Sequence, residues 1–213
     1  MPKIEPRADS SFLLESLDDY ATIRKDWDSH AKGLAEQTPI HLEYLAALLN
    51  EFGSDNAIFT CDTGMSTVWA ARYPRMTRDR RLLGSFNHGS MANAMPHAIG
   101  AQFAQPGRQV VALCGDGGFS MLLGDILTIR QYELPIKLII FNNSCLGMVK
   151  LEMQVAGRRL LHDLLFLLTH GNFYRSHAGV SSKVAMSKIG HRGVPYWADV
   201  GMVSTYKYRR QIQ

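Results

Sequence analysis

Two short polar motifs each end an apolar run in this chain, and their residue types suit the binding of a metal-bound anion. The first is Gly-Asp-Gly-Gly at 115–118, which follows the apolar run Val110–Cys114. The second is Asn142-Asn143, at the end of the run that begins at Lys137. Carboxylate and amide oxygens suit Mg²⁺ or Ca²⁺ rather than a thiophilic metal. Glycines leave backbone N–H groups able to face an anion. Together the motifs indicate a site for a diphosphate bound through a metal, if they meet.

The spacing of the motifs predicts that they do meet. Asp116 and Asn143 lie 27 positions apart, with a helical pattern and a returning strand between them. That is one βαβ crossover, whose two strands run parallel and end on the same edge of the sheet. Gly-Asp-Gly is common in turns, and alone it would indicate only a tight turn. Both motifs at this spacing, each behind an apolar strand, favour the metal and diphosphate site.

Alternating strands and helices are predicted to position these motifs. Strand-like runs at 57–61, 81–85, 109–114 and 136–142 are separated by helical patterns, one of them at 120–132. This alternation predicts an α/β fold, a parallel sheet with helices on both faces. Ligands of such sheets bind beyond the carboxyl ends of the strands. The polar features predicted to lie at these ends are Asp62, the turn Asn87-His88-Gly89, Asp116 and Asn143.

The segment before the sheet is predicted to be helical. Residues 9–36 have apolar side chains at spacings of three and four, which indicates one or two amphipathic helices. Thr38-Pro39 breaks this pattern, because proline fixes its own backbone and disfavours helix in the preceding residue. A further helix is predicted over His41–Glu51. The alternating part of the chain is therefore preceded by a helical linker.

The last quarter of the chain differs from the rest in charge and pattern. Residues 1–157 carry 14 Lys+Arg against 17 Asp+Glu, whereas residues 158–213 carry 9 against 2. This tail contains one apolar cluster, Leu160–Leu168, and then no clear period. We expect a non-native or poorly ordered tail. A tail that binds nucleic acid is a weaker alternative, and it predicts binding that falls steeply with salt.

Composition limits the classes of protein that the chain can belong to. With 46% apolar residues among 213, it can bury a sizeable core. No apolar run approaches the length of a membrane span, and the N-terminus is too polar for a signal peptide, so we expect a cytoplasmic protein. Cys61, Cys114 and Cys145 lie in or beside apolar runs without the spacing of metal ligands. We expect them to be reduced thiols that pack as small hydrophobes.

The pair of motifs resembles a known signature. Gly-Asp-Gly-Gly followed by Asn142-Asn143 resembles the thiamine-diphosphate-binding signature of the group that includes pyruvate decarboxylase, acetolactate synthase and pyruvate oxidase. Three stretches resemble most closely the C-terminal cofactor domain of the bacterial pyruvate dehydrogenase (quinone) family, also called pyruvate oxidase. They are FTCDTGMSTVWAARY (59–73), RRLLGSFNHGSMANAMPHAIGAQ (80–102) and CGDGGFSMLLGD (114–125). The resemblance extends from about Asp9 to Ala156.

The resemblance implies a division of the chain into three parts. Residues 1–36 would be the end of a central flavin domain with its linker helices. Residues 37–157 would be the α/β domain that binds thiamine diphosphate and magnesium, the PP-type domain of the family. Residues 158–213 would be an atypical basic tail, disordered or frame-shifted.

The resemblance also assigns site residues. Asp116, Asn143 and the backbone carbonyl of Cys145 would ligate Mg²⁺. Met91 would be the bulky apolar residue that bends the cofactor, and Glu152 an acidic residue beside the substrate, although a core methionine and a surface glutamate are the competing interpretations. The implied cofactor-binding residues are Gly64, Met65, His88, Gly89, Ser90, Met91, Asp116, Gly117, Gly118, Asn143, Ser144, Cys145, Leu146, Gly147, Met148 and Val149.

An intact enzyme of this family would decarboxylate pyruvate on thiamine diphosphate and pass electrons to FAD and then to a membrane quinone, releasing acetate and CO₂. The family's activating glutamate, most of its FAD domain and its C-terminal membrane-binding helix are not recognisable in this chain. We therefore expect a homo-oligomer (a tetramer in the family) or a complementing N-terminal domain as partner. We do not expect nucleic acid as a partner, nor the peripheral inner-membrane association of the intact enzyme.

Two features leave the function open at this point. Met148 departs from the phenylalanine usual in the quinone-linked enzymes, which puts electron transfer in question rather than cofactor binding. The alternative function is a non-catalytic truncated remnant that at most binds thiamine diphosphate. Missing domains encoded directly upstream would favour the enzyme, and a tail that matches the family in another reading frame would favour the remnant.

Overall fold

The computed structural model describes residues 9–37, 40–143 and 145–158, and the backbone of 200–204. These residues contain a five-stranded sheet in the order β2-β1-β3-β4-β5, in which every neighbouring pair is parallel. The strands are β1 Ile58–Cys61, β2 Arg81–Gly84, β3 Val110–Gly115, β4 Lys137–Asn142 and β5 Val200–Ser204. The predicted α/β class with a parallel sheet is confirmed.

Helices cover the sheet and precede it. They are α1 Ser11–Gly33, α2 Leu42–Phe52, α3 Met65–Arg72, α4 Ala94–Ala104, α5 Asp116–Met121, α6 Ile126–Gln131 and α7 Gly147–Val155, with a 3-10 turn at Leu123–Asp125. The helix predicted over 120–132 is wrong in its start and its continuity, because helical structure already begins at Asp116 and is interrupted by the 3-10 turn. None of the helices in the described ranges is long and apolar enough to cross a membrane.

Alternating residues of the central strands face two separate apolar clusters. On β3, Val110, Ala112 and Cys114 belong to a cluster with buried residues of α4, α5 and α6. Val111 and Leu113 belong to a second cluster with residues of α1, α2 and α3. Because both faces of the sheet are covered, the strand sequence is continuously apolar rather than alternating. Each large apolar side chain buried in this way stabilises the fold by about 1.5–3 kcal/mol.

The fifth strand corrects the sequence analysis. The pattern predicted four strands, all of them before residue 157, whereas β5 comes from the basic tail and pairs in parallel with β4. A run of five residues has too little periodicity to be recognised alone. Its pairing satisfies backbone groups that β4 would otherwise present at an open sheet edge. The rest of the tail, including the apolar cluster at 160–168, lies outside the described residues, and its expected disorder stays a prediction.

The order of the strands places a crevice at one end of the sheet. The chain crosses from β1 to β2 on one side and returns to β3 on the other, so the strand order reverses between β1 and β3. In open α/β sheets, ligands bind at such a reversal, beyond the carboxyl ends of the strands. Asp62 follows β1, and Asp116 follows β3. The residues singled out by the sequence motifs therefore lie at the crevice.

Candidate functional site

A cavity of about 240 Å³ opens at this crevice, between the ends of β1, β3 and β4. Its walls come from the segments that follow these strands, together with the loop before α4 and the first residue of α2. The lining residues are Leu42, Asp62, Thr63, Gly64, Met65, Ser66, Gly89, Met91, Gly115, Asp116, Gly117, Gly118, Phe141, Asn143, Cys145, Leu146, Gly147, Met148 and Val149. Most of the predicted cofactor-binding residues are thus brought together.

The two polar motifs meet in this cavity. Asp116 is the first residue of α5, is only 4% exposed and lines the wall at the end of β3. Asn143 and Cys145 line the opposite wall in the turn after β4. Within that turn the backbone N–H of Cys145 donates a hydrogen bond to the Asn143 side-chain oxygen at 3.1 Å. The parallel pairing of β3 with β4 is what places these residues across one cavity.

The predicted metal ligands have the chemistry of a hard-cation site. A carboxylate, an amide oxygen and a backbone carbonyl supply oxygen atoms only, which suits Mg²⁺. Burial raises the pKa of the Cys145 thiol. Within the described ranges no three His, Cys, Asp or Glu side chains form a metal-binding group. In the predicted set, Asp116 is the one side chain of these four types that would touch the metal.

Glycines allow the walls of the cavity to approach one another. A Cβ added at Gly117 would lie 3.2 Å from Cε of Met91, and one added at Gly118 would lie 2.3 Å from Oδ2 of Asp62. A Cβ at Gly147 would lie 2.6 Å from Cγ of Met65. A real Cβ does not occur at 2.3 or 2.6 Å. Within the Gly-Asp-Gly-Gly motif, Gly118 is therefore required by its contact with Asp62, whereas no atom lies within 4 Å of a Cβ added at Gly115.

The loop that carries Met91 has an unusual backbone. Gly89 has φ +70°, and Ala92, which is buried, has φ +62°. An alanine in this left-handed region costs about 1–2 kcal/mol. Such conformations persist only where the surroundings enforce them, and they concentrate at functional sites. Here they place Met91 against Gly117 in the cavity wall.

Asp62 is a site residue to which the sequence analysis gave a position but no role. It is 2% exposed, and its two carboxylate oxygens accept hydrogen bonds from the backbone N–H groups of Ala94 (2.8 Å) and Gly115 (3.0 Å). Burial raises the pKa of Asp62, and these donors oppose the rise. In the sequence, only its place directly after β1 pointed to a functional residue. Its hydrogen-bond donors, Ala94 and Gly115, are distant along the chain.

Several predicted residues do not reach the cavity. His88 and Glu152 are exposed, Ser90 is partly buried, and none of the three lines the walls. Ser144 lies outside the described residues. The ligand roles of these four stay predictions. Leu42 and Phe141 line the cavity without having been predicted, because nothing in their own helix or strand pattern separates them from core residues.

The fold and the site define an α/β domain whose cavity, at the strand reversal, is lined mainly by apolar side chains, with Asp62, Asp116 and Asn143 among its polar ones. Comparison with known families identifies the class further. The model of the family described as thiamine pyrophosphate enzyme, C-terminal TPP binding domain, matches residues 62–169, half of the chain. Thiamine pyrophosphate is another name for thiamine diphosphate. The chain belongs to this family.

Proteins from three organisms are similar to this chain in sequence. YdaP of Bacillus subtilis (strain 168), whose name describes it as thiamine pyrophosphate-containing, is 35% identical over 164 residues, covering 70% of this chain and 29% of its own length. Acetolactate synthase 2, chloroplastic, of Brassica napus is 40% identical over 107 residues, covering 50% and 17%. The acetolactate synthase isozyme 2 large subunit of Escherichia coli (strain K12) is 30% identical over 139 residues, covering 61% and 25%. The chain therefore spans less than a third of each relative.

The contact between Gly118 and Asp62 generates a stability prediction. Gly118→Ala should destabilise the protein by about 1–3 kcal/mol, because its new methyl group overlaps a buried carboxylate. Gly124→Ala is the matched control, since no atom lies within 4 Å of its added Cβ. Backbone entropy alone favours Ala over Gly by about 0.5–1 kcal/mol at both positions. Urea unfolding of both variants measures the difference, and equal stabilities would contradict the described packing.

Proposed function

We propose that the cavity binds thiamine diphosphate through Mg²⁺. The observation that carries this proposal is that Asp116, Asn143 and Cys145 line one cavity. Two glycines of α5, Gly117 and Gly118, line it beside them. Membership of the thiamine pyrophosphate enzyme family supports the cofactor. The oxygen-only ligand set supports the metal.

Each wall of the cavity would then have a separate task. Asp116, the Asn143 amide oxygen and the Cys145 carbonyl would hold Mg²⁺, and Gly117, Gly118 and residues 143–149 would surround the diphosphate and the thiazolium ring. Met91 would set the shape of the bound cofactor. Thiamine diphosphate, when bound, supplies an electron sink for the decarboxylation of a 2-keto acid. Apolar side chains such as Leu146 and Met148 line the same cavity and would exclude water from it.

We further propose that the chain is the cofactor-binding part of a pyruvate:quinone oxidoreductase, which converts pyruvate to acetate and CO₂ with FAD as the electron carrier. The three stretches that resemble this family, 59–73, 80–102 and 114–125, supply the walls at the ends of β1 and β3 and the Met91 loop. This part would act as a homo-oligomer or with a complementing N-terminal domain. The acetolactate synthase names of several relatives make the synthesis of acetolactate the competing outcome.

Removing the Asp116 carboxylate tests the metal site. Asp116→Ala should abolish Mg²⁺-dependent binding of thiamine diphosphate in titration calorimetry, because it removes the charged ligand of the proposed set. Asp125→Ala is the control, since Asp125 lies in the following 3-10 turn and does not line the cavity. Affinity unchanged in Asp116→Ala would reject the metal assignment. No binding by the wild-type chain would reject the proposed function itself.

Turnover of the purified chain tests the wider assignment. Given thiamine diphosphate, Mg²⁺, FAD and pyruvate, the chain should reduce an artificial electron acceptor at least about 10²-fold more slowly than an intact relative. The reason is that the family's activating glutamate is not recognisable in this chain, and one acid–base group contributes about 10²–10⁴-fold to the rate. Among the described residues, the acidic side chains lining the cavity are Asp62, which holds backbone N–H groups, and Asp116, the proposed metal ligand.

A complementing N-terminal domain should restore the reaction with acetate as its product. Full turnover by the chain alone would contradict the need for a partnering domain. Acetolactate as the product of the complemented enzyme would replace the oxidoreductase assignment with a synthase.

A further inference from the structure

Asp62 hydrogen-bonds to three of the elements that meet at the cavity. Its Oδ1 accepts the backbone N–H of Ala94, the first residue of α4, and its Oδ2 accepts that of Gly115, the last residue of β3. Its backbone carbonyl accepts the hydroxyls of Ser66 (2.9 Å) and Thr67 (2.6 Å) at the start of α3. One residue therefore links the end of β1 to three other elements of the site.

These contacts adjoin the residues proposed to bind the cofactor. Gly115 directly precedes Asp116, and Ala94, the first residue of α4, is three residues after Met91. A Cβ added at Gly118 would approach Ala92 N at 3.0 Å as well as the Asp62 carboxylate. The Met91 loop and the start of α5 thus lie in contact. The Asp62 carboxylate hydrogen-bonds to the residue that follows the loop, Ala94, and to the residue that precedes α5, Gly115.

We propose that Asp62 is a positioning residue of the cofactor site, whose carboxylate fixes the position of Asp116 relative to Met91. This inference rests on the proposed function, since it concerns the same cavity. Asp62 does not bind the metal in this account. It acts through Gly115 and Ala94, and its effect on cofactor binding is indirect.

The chemistry of the side chain supports aspartate specifically. Two backbone N–H donors approach its two oxygens, and a carboxylate offers an acceptor at both. An asparagine of the same shape offers one acceptor and one NH₂ group, which would face one of the N–H donors. That donor would be left buried and unsatisfied. When residues that orient metal ligands without touching the metal are mutated, the metal affinity typically changes by about 10–100-fold.

Thr60 provides a matched control on the same strand. Its hydroxyl donates to the carbonyl of Ala94 at 2.6 Å, and the residue is fully buried. Its side chain therefore contacts the start of α4, as that of Asp62 does, but its hydroxyl bonds to α4 and not to β3. Thr60→Val removes a buried hydrogen bond of similar position and keeps the shape of the side chain. If Asp62 influenced cofactor binding only through the stability of the fold, Thr60→Val should weaken binding as well.

Calorimetry with thiamine diphosphate in Mg²⁺ buffer is the first test, with urea unfolding of each variant run alongside. Asp62→Asn should weaken binding by about 10–100-fold, whereas Thr60→Val should bind like the wild type. Should Asp62→Asn fail to fold, Asp62→Ser, which retains one small acceptor, replaces it with the same expectation. Wild-type affinity in the Asp62 variant, or equal losses in both variants, would overturn the proposal.

Amide hydrogen exchange of the cofactor-free chain is the second test, and it reports on the contacts directly. Asp62→Asn should speed the exchange of the Gly115 amide, and of the amides that follow it to Gly118, by more than its overall loss of stability explains. Thr60→Val should not. Unchanged exchange at Gly115 would overturn the proposal even if cofactor binding were weakened. Absence of wild-type binding would reject the proposed function and, with it, the role of Asp62 toward the cofactor.

Discussion

The parallel pairing of β3 with β4 is the constraint on which the site depends. Their register places Gly115 opposite Phe141, so the residues that follow each strand leave the sheet at the same height. Asp116 and Asn143 therefore face one cavity although a helix pair and a strand separate them along the chain. The pairing itself is enforced by burial, because Leu138 and Ile140 of β4 lie fully buried in the same cluster as Val110 and Ala112 of β3. A one-residue shift in register would offset the two motifs and turn these side chains to the opposite face of the sheet.

Close approach of backbone segments is the second requirement. Gly118 lies where a side chain would overlap the Asp62 carboxylate, and Gly147 lies where one would overlap Met65. A cavity for a large anionic cofactor needs walls that come from several loops, and here small residues let those loops touch. The strained backbone of Ala92 is consistent with this, since the surrounding contacts hold the Met91 loop in a conformation that alanine alone would not adopt.

Much of this architecture was accessible from the sequence, because the signals are local. Strand-like runs of five to seven residues, each ending at a polar or glycine segment, predicted β1 to β4 nearly to their ends, and the distance from Asp116 to Asn143 predicted their meeting. What could not be predicted depends on tertiary contacts. The strand at 200–204 carries no pattern of its own, and the role of Asp62 exists only through Ala94 and Gly115. Family likeness did not show that His88 and Glu152 would be exposed, since a position in a motif does not fix the direction of a side chain.

The central claim is that Asp116 binds a metal that holds a diphosphate in this cavity. Crystals of the chain grown with thiamine diphosphate and Mn²⁺, a cation that accepts the same oxygen ligands, test it most directly through the anomalous signal of the metal. We expect one strong peak within bonding distance of the Asp116 carboxylate, with the diphosphate between the starts of α5 and α7. A peak elsewhere, or a cofactor bound without contact to Asp116, would contradict it.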